Sequence, residues 1–80
     1  MIHDVSMPLR EGMPVWPGNP PFRRIVTDVL GKDGAPVNQT RLELGSHCGT
    51  HIDAPWHFEA DGYRTDSVPP EHLIGPARLL

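Results

Sequence analysis

Proline and glycine set the first limits on what this chain can fold into. Eight glycines and ten prolines take up 18 of its 80 positions, more than a compact domain normally carries and just short of a low-complexity composition. Between Pro8 and Pro21 their density rules out regular structure, so the segment is expected to be a loop stiffened by proline rings. A chain of this length has little core, and below roughly 70–80 residues extra staples are usually needed. Its single cysteine, Cys48, excludes an internal disulfide. The chain is therefore expected to be part of a larger body and not a self-sufficient domain.

What remains between the breakers reads as mainly β. Ile2–Ser6 alternates apolar and polar residues and predicts a short first strand ended by Pro8. His3 within it is structural or exposed. Phe22–Leu30 is rich in β-branched and apolar residues, Gly31-Lys32-Asp33-Gly34 offers a turn, and Val37–Gly45 supplies the second arm of an antiparallel pair. In that arm Leu42 and Leu44 are expected on one face, with Arg41, Glu43 and Thr40 on the other. Further on, a turn is expected at Asp61-Gly62, a proline-started helical turn within Ser67–Leu73, and the start of a strand over Ile74–Leu80. No internal repeat or domain boundary is visible.

The chemistry is concentrated in Ser46-His47-Cys48-Gly49-Thr50-His51-Ile52-Asp53-Ala54-Pro55-Trp56-His57, which holds three of the five histidines. His47, His51 and Asp53 offer the imidazole and carboxylate donors that a divalent metal such as zinc prefers. Pro55 and Gly49 argue against a helix. In an extended segment His51 and Asp53 point to one face, and a bend at Gly49-Thr50 brings in His47. His57 lies beyond Pro55 and is either a further ligand or a proton carrier. Cys48 should point away from its neighbours as a small filler. A Ser46-based nucleophile is disfavoured, because there is no Gly-x-Ser-x-Gly elbow and residues adjacent in sequence rarely form a triad. Glu59, Asp61, Asp66, Glu71 and His72 are possible ligands by type, but no spacing singles one out.

The pattern His47-x-Gly49-Thr50-His51-x-Asp53-x-Pro55-x-His57 resembles the signature of the cyclase family, which includes bacterial kynurenine formamidase and isatin hydrolase. Asp4-Val5-Ser6, Pro14-Val15-Trp16-Pro17-Gly18-Asn19-Pro20 and Leu73-Ile74-Gly75-Pro76-Ala77-Arg78 resemble further stretches of that family. The resemblance spans the whole chain but only about the first third of a typical member. It implies that residues 1–80 are the N-terminal portion of a single domain of the α/β swivelling β/β/α type, truncated here. It also implies a metal-dependent amide hydrolase, an arylformamidase first of all, that works as a homo-oligomer when full length. Isatin hydrolase-like or other amidohydrolase activity is the alternative, as is a catalytically incompetent metal-binding fragment.

His47, His51 and Asp53 would hold the metal, zinc first and manganese as the alternative. His57 would move the proton, a task suited to imidazole, whose reference pKa of ~6.5 leaves both forms available near neutrality. The family's site is binuclear, with Asp53 able to bridge. Its second ion is completed by a His and a Glu that have no counterpart up to Leu80. Trp16 is either a local plug or an apolar wall for an aromatic ligand, and the resemblance favours the wall. Asn19 stands where the family often has Asp, which bears on substrate contacts.

The expected partner is a small aromatic amide. A net charge of −3 and seven scattered basic residues give no basic stripe for nucleic acid. No apolar run approaches the roughly 20 residues of a membrane span, and Met1–Asp4 lacks a secretory pattern. A cytoplasmic protein is the default expectation.

Overall fold

The computed structural model describes all 80 residues, Met1–Leu80. Its regular structure is one antiparallel hairpin, β1 (Arg23–Asp28) against β2 (Gln39–Glu43), followed by three short 3-10 turns at Pro55–His57, Thr65–Ser67 and Pro70–Leu73. The central Ile25-Val26-Thr27 of β1 supplies the β-branched residues that favour a pleated strand. Register pairs Arg23 with Glu43 and Ile25 with Arg41, then Arg24 with Leu42 and Val26 with Thr40. Residues directly opposite share a face, so Thr40 lies with Leu42, and the expectation that it joins Arg41 and Glu43 is corrected. An irregularity between Val26 and Asp28 shifts the register, and the ladder closes with Asp28 opposite Gln39.

The arms are joined where the sequence placed the turn. Gly31, Asp33 and Gly34 all have positive φ, at 82°, 53° and 77°. Glycine enters that region freely and aspartate is among the few other residues that tolerate it. Asn38 Oδ1 accepts from the Leu30 N–H at 2.7 Å and closes the loop.

Two predicted strands do not form. Ile2–Ser6 and Ile74–Leu80 have no regular structure, because neither finds a neighbour in this chain and an unpaired strand leaves its backbone groups without partners. The N-terminal arm is tied down differently. The Ser6 N–H donates to Asp4 Oδ1 at 2.9 Å, and the Met7 N–H to Thr50 Oγ1 at 2.8 Å. Hydrogen bonds from the Ser6 N–H, and then from its hydroxyl, hold the Asp4 carboxyl below the usual range.

The core is one small cluster of Met13, Phe22 and Cys48, with Val15 packed against it. It joins the proline-rich loop, the entry to β1 and the histidine-rich stretch. Cys48 Sγ sits 3.4 Å from Met13 Sδ, so the thiol faces inward as a small apolar filler while the histidines on either side of it in the chain turn outward.

Candidate metal centre

β2 delivers the chain to a tight turn in which the Cys48 N–H donates to the Gly45 carbonyl at 3.1 Å. Gly49 follows with φ of 74°, the bend anticipated at Gly49-Thr50. An extended run to Ala54 then brings three donor atoms together. His47 Nδ1 lies 2.9 Å from Asp53 Oδ1 and 3.1 Å from His51 Nε2, and His51 Nε2 lies 3.2 Å from Asp53 Oδ1.

This triangle suits a metal for two reasons. The first is size: sides of 2.9, 3.1 and 3.2 Å give a circumscribed radius of about 1.8 Å, less than the about 2.0–2.1 Å of zinc–nitrogen and zinc–oxygen bonds. A point at bonding distance from all three atoms therefore exists just off their plane. The second is the proton inventory. His51 Nδ1 lies 2.8 Å from the Gly49 carbonyl, which only accepts, so Nδ1 carries a proton and the neutral form of the ring would present a bare Nε2 to the triangle. A backbone carbonyl that fixes the outer nitrogen in this way is the usual support of a metal-binding histidine. With the ring neutral, the lone pairs of His51 Nε2 and Asp53 Oδ1 face each other at 3.2 Å, an arrangement that a shared cation would relieve. The three side chains keep 30–42% of their surface exposed, which leaves a side open to water.

His57 stands beside the triangle, not in it. Ala54 is extended before Pro55, as the pre-proline position requires, and Pro55 then starts a 3-10 turn, the first-position role that suits its fixed φ. The turn swings the His57 ring to 3.9 Å from the His47 ring, centroid to centroid. No protein group hydrogen-bonds its ring nitrogens. His47, Asp53 and His57 share the wall of an open cavity of about 530 Å³.

A Gly49→Ala change tests the bend. A Cβ there would stand 2.8 Å from Leu9 Cδ2, and φ is in the left-handed region. That conformation costs about 1–2 kcal/mol for a residue with a Cβ, while the leucine tip can yield. In the full-length protein the expected outcome is a loss of stability of that amount, with weaker metal binding, read by chemical denaturation and metal titration.

A model of the Cyclase family matches residues 3–80. The chain belongs to the cyclase family. It is 38% identical over all 80 residues to a kynurenine formamidase of Paracidovorax citrulli, covering 37% of that protein, and 39% identical over 77 residues to a kynurenine formamidase of Bacillus cereus, covering 96% of this chain and 36% of the relative. It thus spans a little over a third of the length of these curated relatives. No solved structure matches it.

In this cyclase-family chain the tryptophan at the cavity differs from the one the sequence singled out. Trp16 is 78% exposed and does not line the cavity, whereas Trp56 does. Trp56 lies within the signature, between Pro55 and His57, and its position there was the available signal. Arg64 also lines the cavity, 4.7 Å from the Trp56 ring centroid. At an exposed site such a contact contributes about 0.5–1 kcal/mol. Nothing in local spacing marks Arg64, because a turn returns it to the signature: the Gly62 N–H donates to the Glu59 carbonyl at 2.9 Å, and the Trp56 N–H to the Tyr63 carbonyl at 3.2 Å.

Proposed function

We propose that this chain is the metal-holding portion of a hydrolase acting on small aromatic amides, first of all an arylformamidase that converts N-formylkynurenine to kynurenine and formate. The observation that carries the reading is the convergence of His47 Nδ1, His51 Nε2 and Asp53 Oδ1 with His57 alongside, where His47, Asp53 and His57 line a cavity large enough for a one-ring substrate. Two relatives named kynurenine formamidase support the choice of substrate.

His47, His51 and Asp53 would hold a divalent ion. Zinc fits imidazole and carboxylate donors best, and manganese is the alternative. When bound, the ion supplies Lewis acidity that activates water and polarises the amide carbonyl. His57, with neither ring nitrogen committed to a protein partner, takes the proton from the attacking water and returns it to the departing amine nitrogen. The Gly49 carbonyl keeps the His51 proton on Nδ1 throughout. Trp56 supplies the aromatic wall of the cavity, and Trp16, outside it with the indole exposed on a proline-stiffened loop, is kept as an aromatic contact to a substrate that extends past the cavity.

The test uses the full-length protein that carries these residues. Hydrolysis of N-formylkynurenine, followed as kynurenine appears, should stop on chelation and return with added zinc or manganese. Hydrolysis of isatin in its place would keep the reaction class and change the substrate. No turnover of any amide by the metal-loaded protein would overturn the reading.

A further inference from the structure

We propose that Arg64, beside the indole of Trp56, recognises an anionic group on the substrate, so that the preferred substrate class is an aromatic amide that carries a carboxylate. This rests on the hydrolase reading above.

Arg64 is the one arginine or lysine on the wall of the cavity that also holds His47, Asp53 and His57. Asp66 shares that wall, yet no carboxylate lies within ion-pair distance of the Arg64 guanidinium; the one arginine so paired is Arg41, with Glu43 at 3.4 Å. Charge is therefore presented to the cavity without being neutralised inside the chain. Arg64 Cζ lies 4.7 Å from the Trp56 ring centroid and its side-chain N–H groups have no protein partner, and a guanidinium edge left free in this way matches a carboxylate in a two-bond fork. Trp56 beneath it offers a flat apolar surface for a ring. One cavity thus joins an aromatic platform, a cationic edge and a hydrolytic centre.

The placement of Arg64 is built into the backbone. The segment before it is held against the signature by the Trp56 N–H to Tyr63 carbonyl bond at 3.2 Å. Close approach there requires glycine at 62, since a Cβ would lie 2.7 Å from both Pro55 C and Trp56 N. On its other side the Ser67 N–H donates to the Arg64 carbonyl at 3.0 Å and starts the next turn. The Arg64 backbone is thus held on both flanks, which lowers the ordering cost of presenting its side chain to an anion.

The test compares 2-formamidobenzoate, which carries a carboxylate beside the formamide, with neutral formanilide, using full-length wild type and Arg64→Gln. The anionic-over-neutral preference in kcat/KM should fall by about tenfold or more in the variant, with the change carried by KM and not kcat. A binding readout independent of turnover is titration with fluorescent 2-aminobenzoate, against aniline as the uncharged control. Affinity for 2-aminobenzoate should drop by the same factor while metal content stays at the wild-type level. An unchanged preference together with unchanged 2-aminobenzoate affinity overturns the proposal and leaves the hydrolase reading standing. If wild type hydrolyses neither amide, the 2-aminobenzoate titration alone decides the anion site, and the hydrolase reading is decided by its own test on N-formylkynurenine and isatin. Should Arg64→Gln fail to fold, Arg64→Met keeps an apolar stem over the indole, and the same ratios apply.

Discussion

Replacing His51 with alanine in the full-length protein should strip the metal from the site, while His57→Ala should keep the metal and lose turnover. The contrast follows from what each ring touches. His51 Nε2 is one vertex of the donor triangle, 3.1 Å from His47 Nδ1 and 3.2 Å from Asp53 Oδ1, and its other nitrogen is locked on the Gly49 carbonyl. Its removal leaves two donors where a zinc site needs at least three from the protein. Loss of an outer-shell partner alone typically costs 10–100-fold in metal affinity or activity, so loss of a ligand should exceed about 100-fold. His57 touches the His47 ring at 3.9 Å but is not a vertex. Its removal should spare metal content and lower kcat by about 10²–10⁴-fold, the usual contribution of a positioned acid–base group. Metal content by elemental analysis and steady-state kinetics on N-formylkynurenine separate the two. Wild-type metal in His51→Ala, or lost metal in His57→Ala, would reverse the assignment of ligand and proton carrier.

The sequence made the donor triangle legible because its members lie within seven residues of one another, where chain geometry leaves few options. Alternation puts His51 and Asp53 on one face, Gly49 supplies the bend that recruits His47, and Cys48 turns inward. The hairpin was legible for a related reason: β-branched residues flank a run in which Gly31, Asp33 and Gly34 tolerate positive φ. Features that depend on partners distant in sequence were not. Ile2–Ser6 and Ile74–Leu80 have strand patterns, but a strand is a property of a pair, and neither has a neighbour here. Arg64 reaches the cavity only because the Glu59–Gly62 turn folds back onto Trp56, and no periodicity encodes that return. Trp16 stood out as the large residue of its loop, yet that loop reaches the core through Met13 and Val15 and leaves the indole in solvent.

Expressed alone, the 80-residue chain should show no cooperative unfolding transition. A folded monomer of 8.9 kDa is expected to expose about 4,800 Å², whereas this chain exposes 7512 Å². The excess, about 2,700 Å², is the size of an obligate interface. Its radius of gyration is 17.2 Å, against about 12 Å for a compact domain of this length and about 28 Å for an unfolded one. Only 4 of 80 residues are buried, and large apolar side chains such as Val5, Phe58 and Ile74 lie more than 80% exposed. At about 1.5–3 kcal/mol for each fully buried large apolar side chain, Met13 and Phe22 with little else cannot offset an ordering cost of about 1–2 kcal/mol per residue for the backbone alone. A thermal scan by circular dichroism should therefore drift without a sigmoid, and a hydrophobic dye should bind at room temperature. The donor triangle lies within one short local stretch, so zinc should still bind weakly and order residues around 47–57, raising structure without producing a global transition. A sharp, denaturant-sensitive transition in the metal-free chain would mean that burial against further polypeptide is not what stabilises this part of the family's fold.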